Sequence, residues 1–255
     1  MYFDSHAHYD DERFDQDRDE LLTEMHNKNV DLILNSGESI DSAKKTLELI
    51  KKYPFIYGAV GIHPHNAKKT CESDINLLRD YSKNDKIVAI GEIGLDYYYD
   101  TSPRDKQRYW FKRQLELADE LDLPVIIHSR DAAQECFDII KSSGVSKGVI
   151  HCYSGSAQMA LDYIEMGFYI GLGGVLTYNN ARITVEVAEA VPIEKIVIET
   201  DCPYLAPAPM RGKRNNSMYL EYIAEKISQI KNIPHKEVAE ITKNNAVKLF
   251  NISNA

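Results

Sequence analysis

The sequence predicts a single (β/α)8 barrel of the α/β class. Three observations carry that expectation: the alternation of its segments, its length, and the absence of any rival's signature. Short aliphatic and β-branched runs alternate with longer helical patterns along the whole chain, and eight such runs can be counted. The chain has 255 residues. A prior of about 150 residues per domain would allow two domains, but barrels commonly use this length as one. A doubly wound open sheet would place a glycine-rich phosphate loop after its first strand, and none stands there. No Ser/Gly/Pro-rich linker or charge block interrupts the chain, so residues 1–255 read as one domain.

Taken in order, strands are expected near Tyr2–His6, Leu32–Ser36, Ile56–Ile62, Ile87–Glu92, Pro124–His128, Gly148–Cys152, Phe168–Gly171 and Ile196–Thr200. Between them, Ser39–Lys52 carries Ile40, Ala43, Leu47 and Ile50 at helical spacing. Ser102 as N-cap and Pro103 at the first helical position would start a helix running through Leu121. Its Phe111, Leu115 and Ala118 form a stripe suited to packing on a sheet. Leu220, Ile223, Ala224 and Ile227 mark an eighth helix, and Val238–Phe250 an extra one that closes the chain.

Thirty Lys and Arg against 39 Asp and Glu give a net charge of −9, and 44% of residues are hydrophobic. This is the composition of a soluble globular protein, not of a disordered, collagen-like or coiled-coil chain. The acidic balance argues against a protein that coats nucleic acid or membranes. It leaves room for a nucleic-acid enzyme whose positive charge comes from bound metal. No apolar run approaches the roughly 20 residues of a membrane span. Met1–His6 lacks the basic and apolar regions of a signal peptide. Cys71, Cys136, Cys152 and Cys202 form no CxxC pair and read as small buried hydrophobes of a reducing, cytoplasmic setting.

In such a barrel the chemistry belongs at the C-terminal ends of the strands. His6 and His8 close the first strand and, two apart, point to the same side. Glu92 ends the fourth strand, His128 the fifth, His151 the sixth and Asp201 the eighth. Four imidazoles and two carboxylates at one mouth suit metal ligation, by Zn2+ through N and O donors or by Mn2+ or Mg2+ through the carboxylates. Six ligands are too many for one open tetrahedral ion. They suit two ions, bridged by Glu92 or a water, that hold the attacking and leaving oxygens of a displacement. One strand-end histidine alone would be an ordinary hydrogen-bonded residue; the coincidence of six groups points to a site. His26 and His235 lie in charged helical stretches and read as surface residues.

The segments Phe3–His8, Gly61–His65, Ala89–Tyr97, His128–Ala132, Ile150–Gly155, Glu199–Pro207 and Arg211–Asn215, in this order, resemble the TatD family of metal-dependent hydrolases, within the amidohydrolase-like barrels. The most specific are Gly91-Glu92-Ile93-Gly94-Leu95-Asp96 and Glu199-Thr200-Asp201. The resemblance implies a divalent-metal-dependent nuclease that cuts DNA phosphodiesters, often exonucleolytically from the 3′ end. It also implies that His6, His8, Glu92, His128, His151 and Asp201 are the ligands, with Glu92 as the bridge. Many related amidohydrolases use a carboxylated lysine there instead. The chain departs from the family where Asn216-Ser217 replaces the common Glu-Pro after Arg-Gly-Lys-Arg-Asn.

On this reading Asp201 either orients or deprotonates the attacking water or serves as a ligand alone, and Glu92 shares the catalytic centre. Glu199, two residues before Asp201, suits a partner that orients a ligand histidine. His63, Arg130, Arg211 and Asn215 are candidates for holding the site or contacting substrate. Lys213 and Arg214 complete a short basic loop, and any of Tyr97, Tyr98 and Tyr99 could stack on a splayed base. The expected cofactors are two divalent ions, Mg, Mn or Zn, and the expected partner is the end of a single DNA strand, or tRNA. A cytoplasmic monomer that does not engage membranes completes the expectation. The alternative is a metal-dependent ester hydrolase such as a D-aminoacyl-tRNA deacylase; amide or deaminase chemistry and a silent binding barrel rank below it.

Overall fold

The computed structural model describes residues 1–252. Eight parallel strands follow one another in chain order: β1 (Tyr2–Ala7), β2 (Val30–Ser36), β3 (Ile56–Val60), β4 (Ile87–Asp96), β5 (Val125–Arg130), β6 (Gly148–Ile150), β7 (Tyr169–Leu172) and β8 (Ile196–Ile198). β8 returns to β1 through a single bridge, Ala7 to Cys202. The (β/α)8 barrel expected from sequence is thus present and nearly closed. Strands such as Val125-Ile126-Ile127 and Ile196-Val197-Ile198 are buried throughout. Continuous apolar runs of this kind arise when a parallel sheet is covered on both faces.

The covering layer consists of α1 (Arg18–Lys28), α2 (Ile40–Lys52), α3 (Glu72–Tyr81), α4 (Arg104–Glu120), α5 (Ala133–Ser143), α6 (Ala157–Glu165), α7 (Arg182–Ala190) and α8 (Leu220–Lys231). Ser39 caps α2 by accepting the N–H of Ser42. In α8 the side chains of Leu220, Ile223 and Ile227 are fully buried. Each such side chain contributes about 1.5–3 kcal/mol of transfer free energy. The extra helix α9 (His235–Leu249) packs over the β8–β1 seam. There Asn245 Nδ2 donates to the carbonyls of Ile193 and Ile196, and Phe250 lies 6.0 Å from Phe3 between ring centroids.

Several boundaries differ from expectation for identifiable reasons. Ser102 does not cap α4. Its hydroxyl donates to the carbonyl of His65 and accepts from the N–H of Lys68, so Pro103 takes the cap position and the helix begins at Arg104. β4 continues four residues beyond Glu92, because Gly94 pairs directly with His128 at a φ of +146°. A Cβ at Gly94 would lie 1.9 Å from the carbonyl oxygen of His128, so only glycine permits this approach. β3, β6 and β8 stop short of their predicted ends. Cys136 and Cys202 are buried, but Cys71 is exposed at the start of α3 and Cys152 is half-buried, so the reading of all four as buried hydrophobes fails.

Candidate metal centre

Each candidate ligand reaches the mouth by its own route. His6 lies within β1, and His8 follows one residue after it. Glu92 projects from β4 and His128 from β5, and His151 follows β6 directly. Asp201 lies beyond β8, at a left-handed φ of +54° that aspartate tolerates better than most residues. Two backbone bonds lock its position: Asp201 N–H donates to His6 O at 3.0 Å, and His8 N–H to Cys202 O at 2.8 Å.

The side chains converge. His6 Nε2 lies 3.0 Å from His8 Nε2, 3.3 Å from Glu92 Oε2 and 3.6 Å from Asp201 Oδ1. His8 Nε2 lies 3.3 Å from Asp201 Oδ1. On the other side of the carboxylate, Glu92 Oε1 meets His128 Nδ1 at 2.8 Å, His151 Nε2 at 2.9 Å and His63 Nε2 at 3.6 Å. Glu92 therefore divides the centre, with one oxygen toward the β1 histidines and the other toward His63, His128 and His151. Three groups have mutually close ligand atoms: His6/Glu92/His151, His6/His8/Asp201 and His63/Glu92/His128. Among the described residues, only imidazoles ion-pair with Glu92 and Asp201. Carboxylates surrounded by imidazole nitrogens, Glu92 buried and Asp201 partly so, with no lysine or arginine to neutralise them, form a donor set that fits divalent cations.

Hydrogen bonding assigns the tautomers. His8 Nδ1 lies 2.9 Å from the carbonyl of Ser36, which can only accept, so in the neutral ring Nδ1 carries the proton and Nε2 turns a lone pair to the centre. His63 is the reverse. Its Nδ1 accepts the N–H of His65 at 3.2 Å, so in the neutral ring the proton sits on Nε2, facing Glu92. Burial raises the Glu92 carboxyl, but His151, His63 and His6, with the bond from His128, hold it well below the carboxylate range. Burial, reinforced by His151, lowers His6, and burial with the neighbouring His128 drives His63 far down. Burial also works against a charge on His8, yet its bond to Asp201 pushes it up to about 10.

The surrounding residues divide by what they touch. Glu199 is fully buried and accepts the N–H of Cys152, with Oε1 3.6 Å from His151 Nδ1. A Cβ at Gly171 would lie 2.6 Å from the Glu199 carboxylate, so that glycine makes room for it. Asn215 is buried, and its Nδ2 donates to the carbonyls of Thr200 and Tyr204, bracing the loop that carries Asp201. Arg130 lines a cavity of about 270 Å³ together with His128, His151, Cys152 and Asp201. Arg211 instead lies over the Tyr178 ring at 4.4 Å, and Arg214 is paired with Asp17. His26 stacks on Phe55, and His235 Nε2 lies 3.0 Å from the Tyr2 hydroxyl, both away from the centre.

Sequence reasoning gave Asp96 no role, although it continues the Glu92 face of β4 at the period of a strand. Its Oδ2 lies 2.8 Å from His65 Nε2 and 3.3 Å from His128 Nε2. Gln107 of α4 holds it from behind, accepting its N–H and donating to its carbonyl. Gln114 holds Ile62, beside His63, in the same way.

The TatD related DNase family matches residues 3–251. The chain belongs to this family. Among TatD relatives, the metal-dependent hydrolase YabD of Bacillus subtilis (strain 168) is 41% identical over 255 residues, covering 99% of this chain and all of its own. The 3′-5′ ssDNA/RNA exonuclease TatD of Salmonella typhimurium is 29% identical, covering 98% of this chain and 99% of its own. The crystal structure of YjjV, a TatD homologue from Escherichia coli K12, superposes with a TM-score of 0.93 at 30% identity and covers 99% of this chain and 98% of that one.

Proposed function

We propose that this TatD-family metal-dependent hydrolase cleaves DNA phosphodiester bonds from the 3′ end of single strands, with two divalent ions held across Glu92. One observation carries the two-ion reading: the two oxygens of Glu92 face separate groups of imidazoles. His6, His8 and Asp201 would hold one ion, His128 and His151 the other, and Mg2+, Mn2+ and Zn2+ are the candidates. Such ions neutralise phosphoryl oxygens and acidify water. Asp201 accepts the proton of the attacking water; its side chain is 16% exposed, against 4% for Glu92, so water reaches it. His63 donates from Nε2 to a phosphoryl oxygen, and Glu199 holds the loop that presents His151. The name of the Salmonella typhimurium relative supports a single-stranded substrate.

The test is to load apoprotein with each metal and supply 3′-labelled single-stranded DNA, a D-aminoacyl-tRNA and a small amide. Release of 3′ mononucleotides that Glu92→Ala and His128→Ala abolish is the expected result. Deacylation with DNA left intact would replace this reading with ester hydrolysis.

A further inference from the structure

The two flanks of the mouth have opposite chemistry. β1 and β5 are four strands apart in an eight-strand order and so face each other across the barrel. Beside His8, over β1 and β2, the wall is acidic: Asp10, Asp11, Glu12, Glu38 and Asp41 line one depression with Lys45, whose Nζ donates to the Asp10 carbonyl at 3.2 Å. The nearby cation Arg13 is already paired with Asp11 at 2.8 Å. Over β4 and β5 stand Tyr98 and Tyr99, 58% and 56% exposed. Their rings meet edge to face at 5.0 Å, and the Arg130 guanidinium lies over both, 4.1 and 4.7 Å from the centroids.

This aromatic pair is fixed to the metal centre. Asp96 Oδ1 accepts the N–H groups of Tyr98 at 3.0 Å and Tyr99 at 2.9 Å, while Oδ2 of the same carboxylate reaches His128. Tyr97 N–H donates to the carbonyl of Arg130 at 2.9 Å, and Arg130 stands two residues beyond His128 on β5. One carboxylate and one strand thus hold two solvent-facing rings and a guanidinium at a set offset from His128. An unpaired nucleobase next to the cleaved bond needs such a surface: a π-face to stack on, a cation for the adjoining phosphate, and no mobility between platform and reaction centre. A base stacked within a duplex has no free face to offer it. Across the mouth, the surplus of carboxylates over Arg13 and Lys45 repels a phosphodiester chain.

We propose that Tyr98, Tyr99 and Arg130 form the stacking platform for an unpaired base beside the cleaved phosphodiester, and that the acidic wall directs the strand out over β4 and β5. The proposal rests on the nuclease reading. It makes the platform the determinant of single-strand preference and Asp96 the residue that positions it.

The test crosses two enzymes with two substrates. Wild type and Tyr98→Ala/Tyr99→Ala act on a 3′-labelled single-stranded oligonucleotide and on the same oligonucleotide with a tetrahydrofuran abasic residue beside the terminal bond. Wild type should lose about ten- to hundredfold in kcat/KM on the abasic strand, the scale of one stacked base. The double variant should lose as much on the intact strand and nothing further on the abasic one. Tyr98→Phe/Tyr99→Phe should restore most of that loss. Arg130→Ala should raise KM and flatten the salt dependence by about one unit of slope. Equal losses on both substrates, or a wild type indifferent to the missing base, would overturn the proposal. Fluorescence anisotropy with the same strands separates the two readings: base-dependent binding without cleavage under any metal would overturn the nuclease reading alone, and base-independent binding would overturn the platform. Both tyrosines are exposed, so unchanged thermal unfolding should accompany every variant.

Discussion

Two His-x-His sequences reach the same mouth and meet different fates. His6-Ala7-His8 leaves along a strand, so both rings turn inward; they are 0% and 6% exposed, with their Nε2 atoms 3.0 Å apart. His63-Pro64-His65 follows β3, where Pro64 opens a short 3-10 turn and His63 caps it. There the backbone no longer alternates. His63 turns to Glu92, while His65 turns to Asp96 with its side chain 34% exposed. Spacing of two puts a pair of imidazoles on one side only where the chain is extended. The committed nitrogen differs as well. Ser36 takes the Nδ1 proton of His8 and frees Nε2 for a cation, whereas the His65 N–H occupies Nδ1 of His63 and leaves Nε2 a donor.

Glu92 meets both rings of the first pair and His63 of the second, so Glu92→Gln should have the largest effect. Activity should fall by at least about a thousandfold, beyond the 10–100-fold typical of residues that support ligands, and metal analysis should find less than one ion per chain. His8→Ala should remove about one equivalent of metal and more than about a hundredfold of activity. His63→Ala should cost about 10–100-fold with metal content intact, and His63→Gln less, because its amide keeps a donor near Nε2. Loss of metal from the His63 variants would erase the distinction drawn from the tautomers. Protons compete for the same lone pairs, most strongly at His8, where Asp201 favours the imidazolium. Lowering the pH therefore weakens metal binding and raising it strengthens binding, by about tenfold per unit for each proton released. Calorimetry in buffers of different ionisation enthalpy counts those protons. His65→Ala should be the mildest change, a loss of less than about tenfold with metal content unchanged.

The sequence exposed most of this arrangement because a parallel barrel writes itself as buried apolar runs, and because each run ends where polar residues begin. What it hid depends on contacts between strands. Nothing in the order of residues near Glu92 says that β4 runs on to Asp96; that follows from Gly94 meeting His128 across the ladder. Asp96 stood in a quoted motif, but its work is done on residues 31 and 32 positions away, His65 and His128. Ser102 read as a helix cap because its local pattern is right, yet a loop 37 positions earlier claims its hydroxyl. Which of two histidine nitrogens is free is likewise set by partners distant in the chain.

The seam under α9 has a consequence for how the enzyme is made. Asp4, beneath His6, accepts the N–H and the hydroxyl of Thr200, beside Asp201, across 196 positions of chain. Contacts of such sequence separation form late, since the loop they close must be ordered first. α9 packs on both β1 and β8, so its full seat exists only once those two strands have met. A chain that has paired β2 to β7 but not yet joined β8 to β1 therefore still holds Asp201 apart from His6 and His8. Closure of the barrel and assembly of the β1 side of the candidate centre are thus a single event.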